Sequence, residues 1–373
     1  MPAGSGAEFC YPGPRVVARI REASQEDLPR LAALLGRREG LDGPWPHTHR
    51  ALWGLEPERI RAWVAVEGER IVALCCAELH RLQVGAQTVD AGYWTNLYVD
   101  EEHRDQLLYP RLPQAMLRGL AKSGVSRVYL AIRRLEIAEA HLRIGFRELT
   151  RYEVRLKPLR PLSLAAKQLR WPDLAVRLAE PLDRLAGLPL RAPGWRPRRL
   201  PRGRSLVRLS LPEDAEGIAE LLARARAGAV TRRWDPQALI DRYREAPDGG
   251  PYHLLGLVSA GAIIGVAVTG VSTRETDVRV GVILELAARD DDEAVLAVLL
   301  RACERDLRAR EADGVLLLDS LGPRVSKLAR LAGYLDTGER YVLMVAPKKK
   351  IDEGDPILDA AAWRFPLADH DAF

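Results

Sequence analysis

A segment near the start of the chain recurs 187 positions later without a gap. RIREASQEDLPRLAALL (Arg19 to Leu35) aligns with LVRLSLPEDAEGIAELL (Leu206 to Leu222), pairing Arg21 with Arg208, Glu26-Asp27 with Glu213-Asp214 and Leu34-Leu35 with Leu221-Leu222. A second match, HLRIGFREL (His141 to Leu149) with ARLAGYLDT (Ala329 to Thr337), has an offset of 188 and pairs Gly145-Phe146 with Gly333-Tyr334. Two separated matches at nearly one offset require duplication of a whole folding unit, because each repeat must bury its own apolar faces. The 373 residues, 47% hydrophobic and 29% charged, can fill two such cores.

Each copy reads in the same order. A short strand leads to a helix capped near Ser24 or Ser210, with acids in the first turn. An irregular stretch follows, with Trp53 and Pro57 or Trp234 and Pro247, and then apolar strands around a turn at Gly68 or Gly261. Next come a strand (Gly92 to Val99; Val278 to Leu286), a helix (Leu107 to Ser123; Asp292 to Glu311) and a buried strand (Val125 to Ile132; Gly314 to Asp319). A helix ending at the Gly-aromatic pair and a last strand (Tyr152 to Lys157; Tyr341 to Ala346) close the copy. Strands with inserted helices predict an α+β, layered α/β architecture.

The boundaries are 15–157 for the first domain, 158–204 for a connector, 205–347 for the second domain and 348–373 for a tail. Lys157 to Arg204 holds twelve Lys/Arg against three Asp/Glu, with eight prolines between 158 and 201. Leu174, Arg177, Leu178, Pro181, Leu182 and Leu185 recur at helical spacing, predicting two short amphipathic helices meeting near Glu180-Pro181. They read either as a helical hairpin or as a basic segment for an anionic membrane surface or polyanion. Trp363 and Phe365 predict a tail that docks on the body.

No run is long and apolar enough for a transmembrane helix, and the N-terminal residues lack a basic region followed by an apolar one, so a cytoplasmic protein is expected. Cys10, Cys75, Cys76 and Cys303 have no metal-ligand spacing, and Cys75 and Cys76 should point to opposite faces of a strand. His47-Thr-His49 reads as loop. Walker, GxGxxG and GxSxG motifs are absent, and nucleic-acid binding is unsupported.

The patterns IREASQEDLPRLAALL, NLYVDEEHR and HLRIGFREL resemble the GCN5-related N-acetyltransferase superfamily, present twice. The resemblance implies two domains, each a mixed, mostly antiparallel sheet flanked by helices and splayed between its fourth and fifth strands, where acyl-CoA binds. It also implies acetyl-CoA or another acyl-CoA as donor and a small-molecule amine as acceptor. The family's Arg/Gln-x-x-Gly-x-Gly/Ala loop, which offers backbone N–H groups to the CoA pyrophosphate, corresponds to Arg104, Asp105, Gln106, Leu107, Leu108 and Tyr109, so both glycines are replaced. In the second copy Arg289 to Ala294 brings four carboxylates to that place, which implies a structural copy. The family's tyrosine acid corresponds to His141 and, in the second copy, to Ala329. His141 reads also as a surface residue of an amphipathic helix. Strand four offers Tyr93, Asn96 and Tyr98 as polar candidates, with Glu78 on the preceding strand, and Leu97 to Val99 supplies the backbone amides, at Leu97 and Val99, for the thioester carbonyl. A scaffold that binds a small molecule or partner, and an acyltransferase fed by an acidic carrier protein docking on the connector, are the alternatives.

Overall fold

The computed structural model describes residues 18–125, 127–186, 203–244, 250–274, 276–346 and 354–369. The first copy runs β1 (Arg19–Glu22), α1 (Leu28–Arg38), α2 (Thr48–Ala51), β2 (Ile60–Glu67), β3 (Arg70–Val84), β4 (Gln87–Val99), α3 (Leu108–Lys122), β5 (Arg127–Ile132), α4 (Leu135–Arg143) and β6 (Arg147–Pro158). After α5 (Pro161–Gln168) and α6 (Asp173–Ala186) the order returns: β7 (Arg204–Leu209), α7 (Ala215–Ala225), β8 (Val230–Arg232), α8 (Pro236–Tyr243), β9 (His253–Ser259), β10 (Ala262–Thr273), β11 (Arg279–Ala288), α9 (Glu293–Ala309), β12 (Gly314–Leu318), α10 (Pro323–Leu331) and β13 (Leu335–Ala346). The architecture is mixed α/β, as expected. Pro247 lies outside the described residues. The capping serines sit earlier than expected: Ser24 and Ser210 open short turns, and α1 and α7 begin at Leu28 and Ala215. Asp27 and Asp214 reach back to the Ser24 and Ser210 amides at 2.9 and 2.8 Å, so those turns absorb the capping chemistry.

The chain forms two compact units, one of the chain up to Leu79 with Trp94–Gly124, the other of His80–Tyr93 with the chain from Val125 onward. In the first, β1 pairs antiparallel with β2, and β2 with the Arg70–Glu78 part of β3. Leu31, Leu34 and Leu35 of α1 bury against Ile60, Val64, Ile71, Leu74 and Cys76. The adjacent cysteines alternate as a strand requires: Cys75 Sγ lies 3.5 Å from Met116 Sδ, and Cys76 Sγ lies 3.3 Å from Thr95 Oγ1. A Cβ on Gly119 of α3 would stand 2.3 Å from the Trp63 ring, so glycine is what lets α3 sit directly on β2.

In the second unit the last strands of the two copies are exchanged. β13 lies between β5 and β6, and β6 pairs with β12, giving the order β5, β13, β6, β12, β11, β10, β9, β7. Two basic residues of β6 are buried there. Arg155 donates to Asp319 at 2.8 Å, and Lys157 reaches Glu304 of α9 at 2.7 Å. β11 pairs parallel with β12 only over Val280–Val282. The tail crosses this divergence: Phe365 N bonds Ser320 O at 3.3 Å, Ser320 Oγ bonds Phe365 O, and Leu367–Asp369 contacts β11. Trp363 and Phe365 are both buried, Phe365 stacked on Tyr152 with ring centroids 6.5 Å apart, so the docking expected of the tail is realised.

The connector forms the hairpin α5–α6, closed by Asp183, which accepts from Leu162 N at 2.9 Å and from Ser163 N at 2.8 Å. The helices meet at Leu169–Pro172, not at Glu180-Pro181: Pro181 lies inside α6. Proline removes the N–H that would bond Arg177 O, but both residues are exposed, and water can take the freed carbonyl.

Breaking the Lys157–Glu304 pair tests whether the exchange holds the second unit together. Glu304→Leu takes the paired carboxylate from a buried ammonium and is expected to cost about 3–5 kcal/mol in urea unfolding, whereas adding Lys157→Met should restore most of it.

Candidate functional site

The loop after β4 in the first unit is tied down by one carboxylate. Asp100 accepts from Glu101 N at 3.1 Å, from Arg70 at 2.6 Å and from Arg37 at 3.2 Å, while Arg37 also bonds Ile71 O at 3.2 Å. Burial pushes the Asp100 carboxyl up, but the Arg70 and Arg37 guanidinium groups outweigh it and hold it below the usual range. His103 is buried against Glu67 at 2.9 Å. These anchors leave Arg104 exposed, with its guanidinium 3.1 Å from Glu101.

Leu107 then takes φ 53° and ψ 32° and is 70% exposed. This is the left-handed region that glycine favours, at the position that the sequence comparison sets against the first glycine of the superfamily's Arg/Gln-x-x-Gly-x-Gly/Ala motif. α3 starts at Leu108 without a side-chain cap, so the amides of Leu108 and Tyr109 carry the positive end of the helix, and Pro110 supplies none. Asp105 is exposed, and Gln106 keeps a buried Oε1 with no hydrogen-bond partner among the described residues. Burial, with Cys75 nearby, pushes the Tyr109 phenol up to about 12.

The second copy closes the equivalent helix end. Asp292 accepts from Ala294 N at 2.8 Å and Val295 N at 3.3 Å, placing its own carboxylate where an anion would bind α9. Asp290 and Asp291 both adopt positive φ, 54° and 53°, with their carbonyls held by Arg324 at 3.1 and 2.6 Å.

Strand four differs in an informative way. Five residues beyond the paired positions Ala91 and Val280 stand Asn96 and Glu285. Glu285 is buried in an ion pair with Arg226 and accepts from Leu286 N at 2.9 Å, and its Oε2 has no partner among the described residues. Asn96 in the first copy meets Arg38 at 3.5 Å and Thr95 Oγ1 at 3.4 Å. Strand four thus carries a glutamate in the second copy, salt-bridged, and an asparagine in the first. The glutamate's signal is the LEL within Val282–Ala287, legible only with the strand register. Glu78 is buried opposite Ile60.

Asn96, Leu97, Tyr98, Val99 and the Arg104–Tyr109 loop fall in the first unit, Tyr93 and His141 in the second. Leu97 and Val99 are half-buried. Tyr98 packs against the α1 core, and burial with Asp100 nearby pushes its phenol up. Tyr93 is buried 5.2 Å from the Tyr129 ring and 5.9 Å from Phe365. His141 is buried, not on the surface: it lies edge-on to Phe146, and Nδ1 bonds Ile137 O at 2.7 Å, which makes Nδ1 the protonated nitrogen and Nε2 the basic one. Burial pulls its pKa below the ordinary value, against the Ile137 carbonyl, so the ring is neutral at pH 7.

Two consequences can be measured. Leu107→Gly relieves about 1–2 kcal/mol of left-handed strain and loses roughly half of that to chain entropy, so denaturant unfolding should show a gain of about 0.5–1 kcal/mol. Because His141 is harder to protonate folded than unfolded, the unfolded chain takes up more protons just below pH 6.5, and stability falls as pH drops through that window. His141→Gln should flatten this pH slope, with no effect on the slope above about pH 7.5.

No family model matches the chain, and no curated protein matches it in sequence. Solved structures do match. A protein of unknown function from Enterococcus faecalis described as a probable N-acyltransferase has a TM-score of 0.62 at 12% identity, over 88% of this chain and 72% of that one. A GCN5-related N-acetyltransferase from Anabaena variabilis gives 0.60 at 12%, over 88% and 72%. N-myristoyltransferase from Saccharomyces cerevisiae, solved with bound myristoyl-CoA, gives 0.60 at 15%, over 90% and 84%. The chain has the fold of the GCN5-related N-acetyltransferase superfamily, in a two-copy architecture.

Proposed function

We propose that this chain is an acyl-CoA-dependent N-acyltransferase whose first copy, residues 15–157, carries the donor site and whose second, 205–347, is structural. The single observation that supports this most is the contrast between the two helix ends: α3 starts without a side-chain cap after a positive-φ turn at Leu107, while Asp292 caps α9 with its own carboxylate. A pyrophosphate gains the helix dipole at the first and meets a carboxylate at the second. The superfamily fold and the acyl-CoA named for one neighbour support the same donor class. Acetyl-CoA is the simplest donor, with a small-molecule amine as acceptor.

The reaction follows from the groups present. The amine attacks the thioester carbonyl, a C–N bond forms and the C–S bond breaks. Amides at Leu97 to Val99 polarise the carbonyl oxygen as negative charge develops there. The ammonium proton passes to solvent, and the leaving thiolate takes a proton from Tyr98, which burial keeps protonated at neutral pH. Asn96 cannot take a proton at this pH, and this favours, as a second reading, a binding protein that holds acyl-CoA without turnover.

Calorimetric titration with acetyl-CoA separates these. Wild type and Arg289→Glu should bind alike, and Arg104→Glu should bind at least about tenfold more weakly, since a reversed charge faces the phosphates. Absence of acetyl-CoA binding overturns the donor site; pantetheine binding alone would point to a carrier-protein donor. Tyr98→Phe should lower turnover with amine and leave acetyl-CoA binding unchanged.

A further inference from the structure

The hairpin α5–α6 exposes apolar side chains that a water-facing helix pair has no reason to expose. Leu174, Leu178 and Leu182 of α6 are 70%, 57% and 51% exposed and recur every four residues, on one face of the helix. Trp171 and Leu169, just before α6, are 51% and 64% exposed, and Leu162 at the start of α5 is 43% exposed. The opposite side of the hairpin is already used: Ala166, Ala179 and Asp183 are buried, and Lys167 of α5 is paired with Asp313 at 2.8 Å. The stripe is therefore the free face of an element docked by its other side.

Charge says what covers it. Arg170 and Arg177 are exposed beside the stripe, while α6 itself also carries Asp173, Glu180 and Asp183, so the basic excess of the connector lies in the chain that follows. Beyond Ala186 the chain continues through residues 187–202, which lie outside the described residues and carry five arginines and no acid in sequence. An acidic protein would match the arginines but would need an apolar groove among its carboxylates to take the leucines as well. An anionic bilayer offers both: headgroup charge for the guanidinium groups, acyl chains for the leucines and an interfacial depth suited to tryptophan. No described helix is long and apolar enough to cross a membrane, so the element can only lie in the surface plane. We propose that α6 is an in-plane anchor that seats this protein on anionic lipid, with Leu174, Leu178 and Leu182 entering the headgroup boundary.

The test is co-sedimentation of the full chain with vesicles of equal phosphatidylglycerol and phosphatidylcholine, against phosphatidylcholine alone. Binding is expected only to the anionic vesicles, and it should weaken in about 0.5 M salt, which screens the headgroups. Leu174→Gln/Leu178→Gln/Leu182→Gln should weaken it about tenfold or more and leave the thermal midpoint unchanged, because the replaced side chains face solvent. Equal binding by the variant, or no binding by wild type, overturns the proposal. A fall in the variant's thermal midpoint also overturns it, because it would mean that the stripe is covered by the chain itself.

Discussion

The structure depends on an exchange of strands. β6 and β13 each leave the copy whose sequence they complete: β13 enters between β5 and β6, and β6 adds to β12. Once exchanged, β6 has its backbone groups paired on both sides, and its two buried basic residues, Arg155 and Lys157, pair with Asp319 and Glu304 of the second copy. Removing Asp319 or Glu304 would take a carboxylate from a buried cation, so the pairing resists reversal. The second unit therefore contains β5, α4 and β6 along with the whole second copy.

That arrangement frees the two copies to diverge where chemistry would occur. In the second, Asp292 caps α9 from within, Glu285 is paired with Arg226, and the tail from Phe365 to Asp369 crosses the divergence of β11 and β12. Each exchanges an open polar group or gap for an internal partner, which is what stability favours when no ligand is bound there. In the first copy α3 starts without a side-chain cap, after a leucine at positive φ. Strain at a non-glycine residue persists only where the surrounding structure imposes it.

Much of this is legible in the sequence. The repeat starts at Arg19 and Leu206, the turns at Gly68 and Gly261, the alternating Cys75 and Cys76, and the docking of Trp363 and Phe365 all follow from local periodicity or from side chains that cannot stay in water. The strand exchange is not legible, because β6 and β13 have the same strand pattern wherever they pair. The burial of His141 is hidden for a related reason: Glu139 and Arg143 make α4 look like a solvated face, and only the Phe146 ring after Gly145 marks the side that faces inward. The length of α6 is equally hidden, because Pro181 ends a helix only when its freed carbonyl cannot reach water, and exposure cannot be read from spacing. The candidate site is legible as a position, Arg104 to Tyr109, but its open state rests on a backbone angle at Leu107.

The central claim is that the two helix ends differ in their capacity for an acyl-CoA, and amide hydrogen exchange reads those ends directly. Adding acetyl-CoA should slow exchange in the stretch from Leu107 to Leu112 and leave Glu293 to Leu296 unchanged, because Asp292 already holds the Ala294 and Val295 amides. Protection at Glu293 to Leu296, or none at Leu107 to Leu112 under saturating acetyl-CoA, would contradict the account.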